Sequence, residues 1–125
     1  MVRRNNIVGD SMKRLLIIVF AGFLAIGGAA AKTGGVGWAS YYKMGTRTAN
    51  GERYDPDGLT AAHRTLPFGT KVLVTNLSNG KSVIVRINDR GPFSKSRVMD
   101  LSFGAAKVVG LVRAGVAKIE FKVLN

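Results

Sequence analysis

The chain has 125 residues, no cysteine and a net charge of +12, from 19 Lys and Arg residues against 7 Asp and Glu residues. The absence of cysteine excludes a disulfide framework, a thiolate metal site and a cysteine nucleophile. The basic residues are scattered singly, without the Lys- and Arg-rich run of a nucleic-acid-binding surface, so we expect no nucleic-acid partner. A diffuse positive charge instead favours attraction to an anionic polymer or surface.

The first 31 residues have the three-part pattern of a secretory signal peptide. A basic start at Lys13-Arg14 precedes an apolar stretch over 15–25, and Ala29-Ala30-Ala31 offers a small-residue cleavage site. The apolar stretch is shorter than the ~20 residues of a membrane span. An uncleaved signal that acts as an anchor stays open as the alternative. Residues 1–11 lie before a second methionine, Met12, and form either a leader extension or a stretch ahead of the true start.

This leader predicts an exported protein of the periplasm or cell envelope. We expect no stable membrane insertion once the signal is removed. Lipid attachment needs a cysteine after the signal, and the chain has none, so the protein is not expected to be a lipoprotein. Residues 32–36 are interpreted as a Gly-rich linker, and 37–125 as one small domain.

The domain is predicted to contain about six short strands and one short helix. Strands are predicted at 36–42, 71–76, 82–88, 97–101 and 117–123, with an ambiguous extended segment at 59–63. Strict alternation makes 117–123 a strand with one buried face, and Asn79-Gly80 favours a hairpin because both residues tolerate positive φ. Ser102 is predicted to cap a helix over 103–109. Such spacing is typical of a small all-β barrel or sandwich.

One carboxylate, Asp89, follows directly where the strand over 82–88 must end. Arg90-Gly91-Pro92 then forces a turn. A carboxylate at the rim of a rigid sheet is a common placement for a catalytic group, although such residues also bind the turn backbone. Arg86 and Arg90 are near in sequence, but strand alternation starts both on the opposite side from Asp89.

A second polar cluster lies upstream and contains Thr48, Asn50, Glu52, Asp55 and the only histidine, His63. Taken singly, the acidic residues also fit ordinary turns, and the histidine also fits a structural role. No helix-spaced pair supports a zinc site, and no serine lies in a nucleophile turn. We therefore expect no metal and no cofactor.

Seven segments, taken in order, resemble the rare lipoprotein A family. They are residues 39–42, 48–52, 59–63, 65–70, 74–76, 85–93 and 100–102. The resemblance implies a small six-stranded double-psi β-barrel with one short helix. It also implies a peptidoglycan lytic transglycosylase that cleaves the bond between N-acetylmuramic acid and N-acetylglucosamine without water. The muramic acid 6-hydroxyl attacks its own anomeric carbon and leaves a 1,6-anhydro end, and peptide-free strands are preferred.

The resemblance places the family's catalytic residues at Glu52, Asp55, His63 and Asp89. Because the nucleophile is part of the substrate, one carboxyl can serve in turn as acid and base, and we assign that role to Asp89. The other three are expected to position the sugar, orient Asp89 or stabilise charge. Substrate-binding residues are predicted at Thr48, Asn50, Asn88 and Arg90.

Residues 43–47 depart from the family, because this segment is shorter than the usual loop and lacks its aromatic-His-Gly element. We expect a monomer whose partner is the peptidoglycan glycan strand. The alternative function is a non-catalytic, expansin-like module that binds cell wall or glycan. Trp38 and Tyr41-Tyr42 fit either function, since aromatic faces stack on sugars.

Overall fold

The computed structural model describes residues 34–125, and the predicted signal peptide lies outside this range. Its elements are β1 (Gly34–Tyr42), β2 (Thr60–Ala62), β3 (Lys71–Asn76), β4 (Ser82–Asp89), β5 (Arg97–Ser102), α1 (Phe103–Val108) and β6 (Ala117–Val123). The strands at 71–76 and 117–123 have the predicted bounds. β1 begins at Gly34, inside the predicted linker, because its pairing with β6 already starts there, opposite Lys122.

The strands close into a barrel in the order β1, β5, β2, β4, β3, β6, and β6 pairs back onto β1. Two neighbouring pairs are parallel, β1 with β5 and β2 with β4, and the other four are antiparallel. Parallel neighbours require crossover connections rather than hairpins. This closed barrel with one short helix confirms the predicted all-β architecture. None of the helices among residues 34–125 is long and apolar enough to cross a membrane.

Apolar side chains that alternate along the strands fill the barrel. Val72 and Val74 of β3 and Val85 and Ile87 of β4 are at most 1% exposed. Each such side chain contributes roughly 1.5–3 kcal/mol through burial. In β6 the buried residues alternate with exposed lysines, as the sequence predicted. This packed core makes the barrel rigid, so the residues at the ends of its strands have fixed positions.

Ser102 joins α1 to the segment before β2. Its Oγ accepts the Ala105 N–H at 3.2 Å as the helix cap and donates to the Gly58 carbonyl at 2.6 Å. The Thr60 N–H also donates to this oxygen, at 3.3 Å. In the first turn of α1, a Cβ added to Gly104 would lie 2.7 Å from a backbone oxygen, so only glycine fits this approach.

Residues 46–54 form a short hairpin, called the 46–54 hairpin below, which packs against the end of β4. The Tyr54 N–H donates to the Thr46 carbonyl at 2.9 Å, and the hairpin contains a bridge between Arg47 and Arg53. β4 ends at Asp89, followed by the predicted turn, in which the peptide bond before Pro92 is cis. The end of β4 therefore lies between β2 and this hairpin.

Candidate active site

The Asp89 carboxylate accepts hydrogen bonds from three donors. Its Oδ2 accepts from the Tyr42 hydroxyl at 3.0 Å. Its Oδ1 accepts from the N–H groups of Ala49, at 2.8 Å, and of Arg90, at 2.9 Å. Each carboxylate oxygen has two lone pairs, so Oδ1 is satisfied within the protein while Oδ2 keeps one position for a ligand. The half-buried carboxylate is thus fixed in orientation, and Oδ2 is the oxygen with fewer hydrogen bonds from the protein.

Tyr42, the last residue of β1, is a donor that the sequence analysis missed. Its ring stacks on Tyr54 with centroids 4.6 Å apart, and the Tyr54 hydroxyl donates to the Tyr42 carbonyl at 2.5 Å. Burial, and then the negative charge of Asp89, raise the pKa of the Tyr42 hydroxyl far above its usual value. Tyr42 therefore stays protonated and donates at every pH at which the protein works.

The Glu52 carboxylate is the centre of a second network. Arg86 donates to it through both Nη atoms, at 2.6 and 3.0 Å, while Asn50 donates at 2.8 Å and Asn88 at 3.2 Å. The hydrogen bonds from Arg86, followed by those from Asn50 and Asn88, lower the pKa of Glu52 to about 2. Glu52 is therefore an anion at neutral pH and is unsuited to donate a proton.

This network fixes the tip of the 46–54 hairpin on β4. The Asn50 side-chain oxygen accepts from the Thr48 hydroxyl at 2.6 Å and from the Glu52 N–H at 3.1 Å. The Asn50 N–H donates to the Asn88 carbonyl at 3.2 Å. The turn is thereby held with the Ala49 N–H directed at Asp89, so these polar residues act on the carboxylate through the backbone.

His63 contacts the end of β4 through its main chain. Its N–H donates to the Asp89 carbonyl at 3.2 Å. Its ring Nδ1 accepts the N–H groups of Thr65 and Leu66, both at 3.1 Å. Burial, and then the charges of two neighbouring arginines, lower the pKa of the imidazole. The ring is therefore neutral at pH 7 and carries its proton on Nε2.

The Arg90 side chain supports the loop after β2, whereas its main-chain N–H bonds to the Asp89 carboxylate. Its guanidinium donates to the carbonyls of His63, at 3.2 Å, and of Leu66, at 2.9 Å. It also lies 4.0 Å from the centre of the Phe68 ring. Within the described residues, the ion pairs are Arg86–Glu52 and Arg97–Asp100, so Asp89 is held by neutral donors.

The structure brings most of the predicted site residues to the end of β4. They are Thr48, Asn50, Glu52, His63, Asn88, Asp89 and Arg90. Asp55 is exposed and lies outside these networks, since its Oδ1 accepts the Asp57 N–H at 3.0 Å within its own turn. Over residues 34–125, no group of three or more His, Asp and Glu side chains is placed to hold a metal ion.

A family model described as lytic transglycolase matches residues 35–121. The chain belongs to this family. One similar curated relative is a probable endolytic peptidoglycan transglycosylase RlpA from Nostoc sp., 57% identical over 94 residues, which are 71% of this chain and 25% of the relative. Another is the endolytic peptidoglycan transglycosylase RlpA from Pseudomonas aeruginosa, 59% identical over 88 residues, which are 68% of this chain and 26% of the relative. The chain thus spans about a quarter of the length of these relatives.

Solved structures share the fold of the domain. An expansin from Clavibacter michiganensis has a TM-score of 0.61 at 22% identity, over 74% of this chain and 50% of that chain. The Streptomyces papain inhibitor has a TM-score of 0.56 at 28% identity, over 74% of this chain and 93% of that chain. Together with the strand order, these likenesses confirm the predicted double-psi β-barrel.

Proposed function

We propose that this domain is a lytic transglycosylase that cleaves the bond between N-acetylmuramic acid and N-acetylglucosamine in peptidoglycan glycan strands. The observation that carries the proposal is the half-buried Asp89 carboxylate, whose Oδ1 accepts two main-chain N–H groups while its Oδ2 accepts the Tyr42 hydroxyl. Relatives named endolytic peptidoglycan transglycosylase, 50–59% identical over this domain, support the substrate class.

The proposed reaction needs one proton-transferring group. The bond between the anomeric carbon and the leaving oxygen breaks, and the 6-oxygen of the same muramic acid forms a bond to that carbon. Asp89 donates a proton to the leaving oxygen and accepts the proton of the 6-hydroxyl, so its protonation state is restored. Hydrolysis with inversion would require a second carboxylate to activate water. Here no water is consumed, and Oδ2 of Asp89 exchanges both protons.

The other polar residues are proposed to position this carboxylate. Tyr42 donates to Oδ2, and Glu52 holds the turn that carries the Ala49 N–H. Glu52 is unsuited to be the acid because its pKa is about 2. Asp55, exposed at the rim, is proposed to contact the sugar directly.

Exposed aromatic rings support a glycan ligand at this end of the barrel. Phe93 follows Asp89 by four residues and is 89% exposed, and Phe68, beneath the Arg90 guanidinium, is 42% exposed. Such rings offer flat apolar faces to sugar rings. We propose that the protein acts as a monomer in the cell envelope, where peptidoglycan is found, and favours peptide-free strands.

The test is mass spectrometry of glycan strands after incubation with the full chain. Peptide-free strands and intact peptidoglycan serve as substrates, with the Asp89→Asn variant beside a matched control, Asp57→Asn, at an exposed position. We expect products ending in 1,6-anhydro-muramic acid, and a loss of about 10²–10⁴-fold in rate in Asp89→Asn alone.

Equal rates in the two variants would place the acid elsewhere. No cleavage by any form, with binding to insoluble wall retained, would instead support the non-catalytic, expansin-like module.

A further inference from the structure

Two arginines of the 46–54 hairpin face the same side. Arg47 and Arg53 are partners in its antiparallel bridge, and residues directly opposite each other in such a pair share a face. Both are exposed, and neither takes part in an ion pair with a described acidic side chain. Like charges placed opposite each other destabilise the pair. The hairpin therefore places two arginines opposite each other on one exposed face.

These arginines line an open pocket of about 290 Å³, together with Gly45, Thr46 and Tyr54. Nη1 of Arg47 donates to the Gly51 carbonyl at 3.0 Å, which anchors that guanidinium and leaves its other N–H groups for a ligand. Among the described residues 34–125, those that line the pocket include no acidic side chain. Two guanidinium groups with several donors are matched in geometry and charge by a carboxylate.

The pocket shares a wall with the site around Asp89. Tyr54 lines the pocket, and its ring stacks on Tyr42, whose hydroxyl donates to the Asp89 carboxylate. One pair of stacked rings therefore separates the pocket from the proposed acid. A ligand that contacts both has to extend across these rings, as a chain of linked sugar units does.

We propose that Arg47 and Arg53 bind the lactyl carboxylate of a muramic acid close to the bond that is cleaved. This inference rests on the proposed function and names the group that the hairpin recognises. Muramic acid carries a lactyl ether that ends in a free carboxylate when no stem peptide is attached and in an amide when one is. The free carboxylate is an anionic partner for the two arginines, whereas the amide is neutral.

The experiment measures binding by the full chain carrying Asp89→Asn, so that the strands stay intact. The probes are peptide-free glycan strands, peptide-bearing strands, and chitohexaose, which has no lactyl group. The double variant Arg47→Ala/Arg53→Ala is compared with Arg113→Ala/Lys118→Ala, which removes the same charge at exposed positions away from the pocket. Circular dichroism verifies that each variant is folded.

We expect the arginine double variant to bind peptide-free strands about tenfold or more weakly, as for charge-assisted pairs. Binding to chitohexaose should not change, and the control variant should stay within about twofold, because exposed charges contribute little singly. Replacement by Arg47→Lys/Arg53→Lys should restore part of the affinity, since the charge returns without the planar donors.

Equal affinities of the arginine and control variants for peptide-free strands would overturn the inference. A loss confined to peptide-bearing strands would also overturn it, because the carboxylates of the stem peptide would then be the ligand. The titration needs no turnover, so it is independent of the cleavage assay. Absence of 1,6-anhydro products from the unsubstituted chain would reject the proposed function while leaving the binding result to be judged by itself.

Discussion

Tyr42 is the side chain that donates a hydrogen bond to the Asp89 carboxylate, and it does so at Oδ2, where the proposed proton transfers take place. Because burial and the charge of Asp89 raise the pKa of the Tyr42 hydroxyl, this hydroxyl keeps its proton throughout the proposed reaction, in which the carboxyl gains and loses one. The tyrosine can thus stabilise the carboxylate form without competing as an acid.

Replacing this tyrosine tests that role. In Tyr42→Phe the stacking on Tyr54 is retained and only the hydroxyl is lost, so we expect kcat to fall about tenfold, the equivalent of ~1.4 kcal/mol for one hydrogen bond, with KM little changed. Tyr41→Phe is the matched control, since its hydroxyl makes only a 3.4 Å contact with the Val112 carbonyl. An unchanged pH profile and kcat in Tyr42→Phe would refute the role.

Glu52 makes stability depend on pH in a definite direction. Its pKa is lowered from 4.5 to about 2 by the hydrogen bonds from Arg86, Asn50 and Asn88, so its ionised form favours the folded state. The contribution is fully present above about pH 4.5 and is lost as the pH falls toward 2. We expect Glu52→Gln to lower Tm at pH 6 and the difference from the parent to shrink by pH 2.

Differential scanning calorimetry between pH 6 and pH 2 measures this effect. Glu120→Gln is the control, because Glu120 lies on β6 and forms no ion pair with another described residue. A constant Tm difference across the range would show that the Glu52 network does not titrate as described.

The sequence predicted Asp89 and Glu52 as candidate site residues but not the groups that bond to them. Asp89 was identified from the strand that ends before it, and Glu52 from the upstream polar cluster and then from family resemblance. That Tyr42 and the Ala49 N–H meet Asp89, and that Arg86 binds Glu52, depends on which segments become neighbours after folding. No local pattern in the chain encodes these contacts.

α1 is a six-residue helix, too short to be stable by itself. Its order depends on Ser102, which is fully buried, caps the helix and bonds to the Gly58 carbonyl. Helices of fewer than two turns depend on the contacts at their ends.

Removing this serine hydroxyl should therefore destabilise the whole domain. We expect Ser102→Ala to lower the free energy of unfolding by about 1–3 kcal/mol, from the lost cap and the unsatisfied buried groups. Urea unfolding measures the loss, with Ser96→Ala, at an exposed position, as control. A change below that of the control would show that Ser102 is dispensable.

At the scale of elements, the strands were easier to predict than their arrangement. β3 and β6 were predicted with their observed bounds; alternation is strict in the sequence of β6, and β3 lies between the turn that precedes it and the Asn79-Gly80 hairpin signal. The three-residue β2 was ambiguous, since all its residues are buried and no alternation is visible. The parallel neighbours β1 with β5 and β2 with β4 leave no signal in the sequence and followed only from family resemblance.

The molecule as a whole carries a positive charge that should act at long range. Basic residues outnumber acidic ones by 12 in the full sequence. Attraction to an anionic polymer is screened within ~10 Å at 0.1 M salt and within ~3 Å at 1 M. We expect binding to peptidoglycan to weaken steadily as salt rises, while binding to neutral chitohexaose stays constant. Equal salt dependence for both ligands would contradict a role for the charge.

The dependence of Asp89 on the 46–54 hairpin has a consequence for how the protein loses activity. One of the three donors to the carboxylate comes from a turn outside the barrel whose own side-chain hydrogen bonds are only partly buried, whereas the barrel is closed and filled. Local opening of such a turn requires less free energy than global unfolding. Inactivation on mild heating should therefore precede melting of the barrel and reverse on cooling. The barrel would then stay folded at temperatures at which the site around Asp89 no longer works.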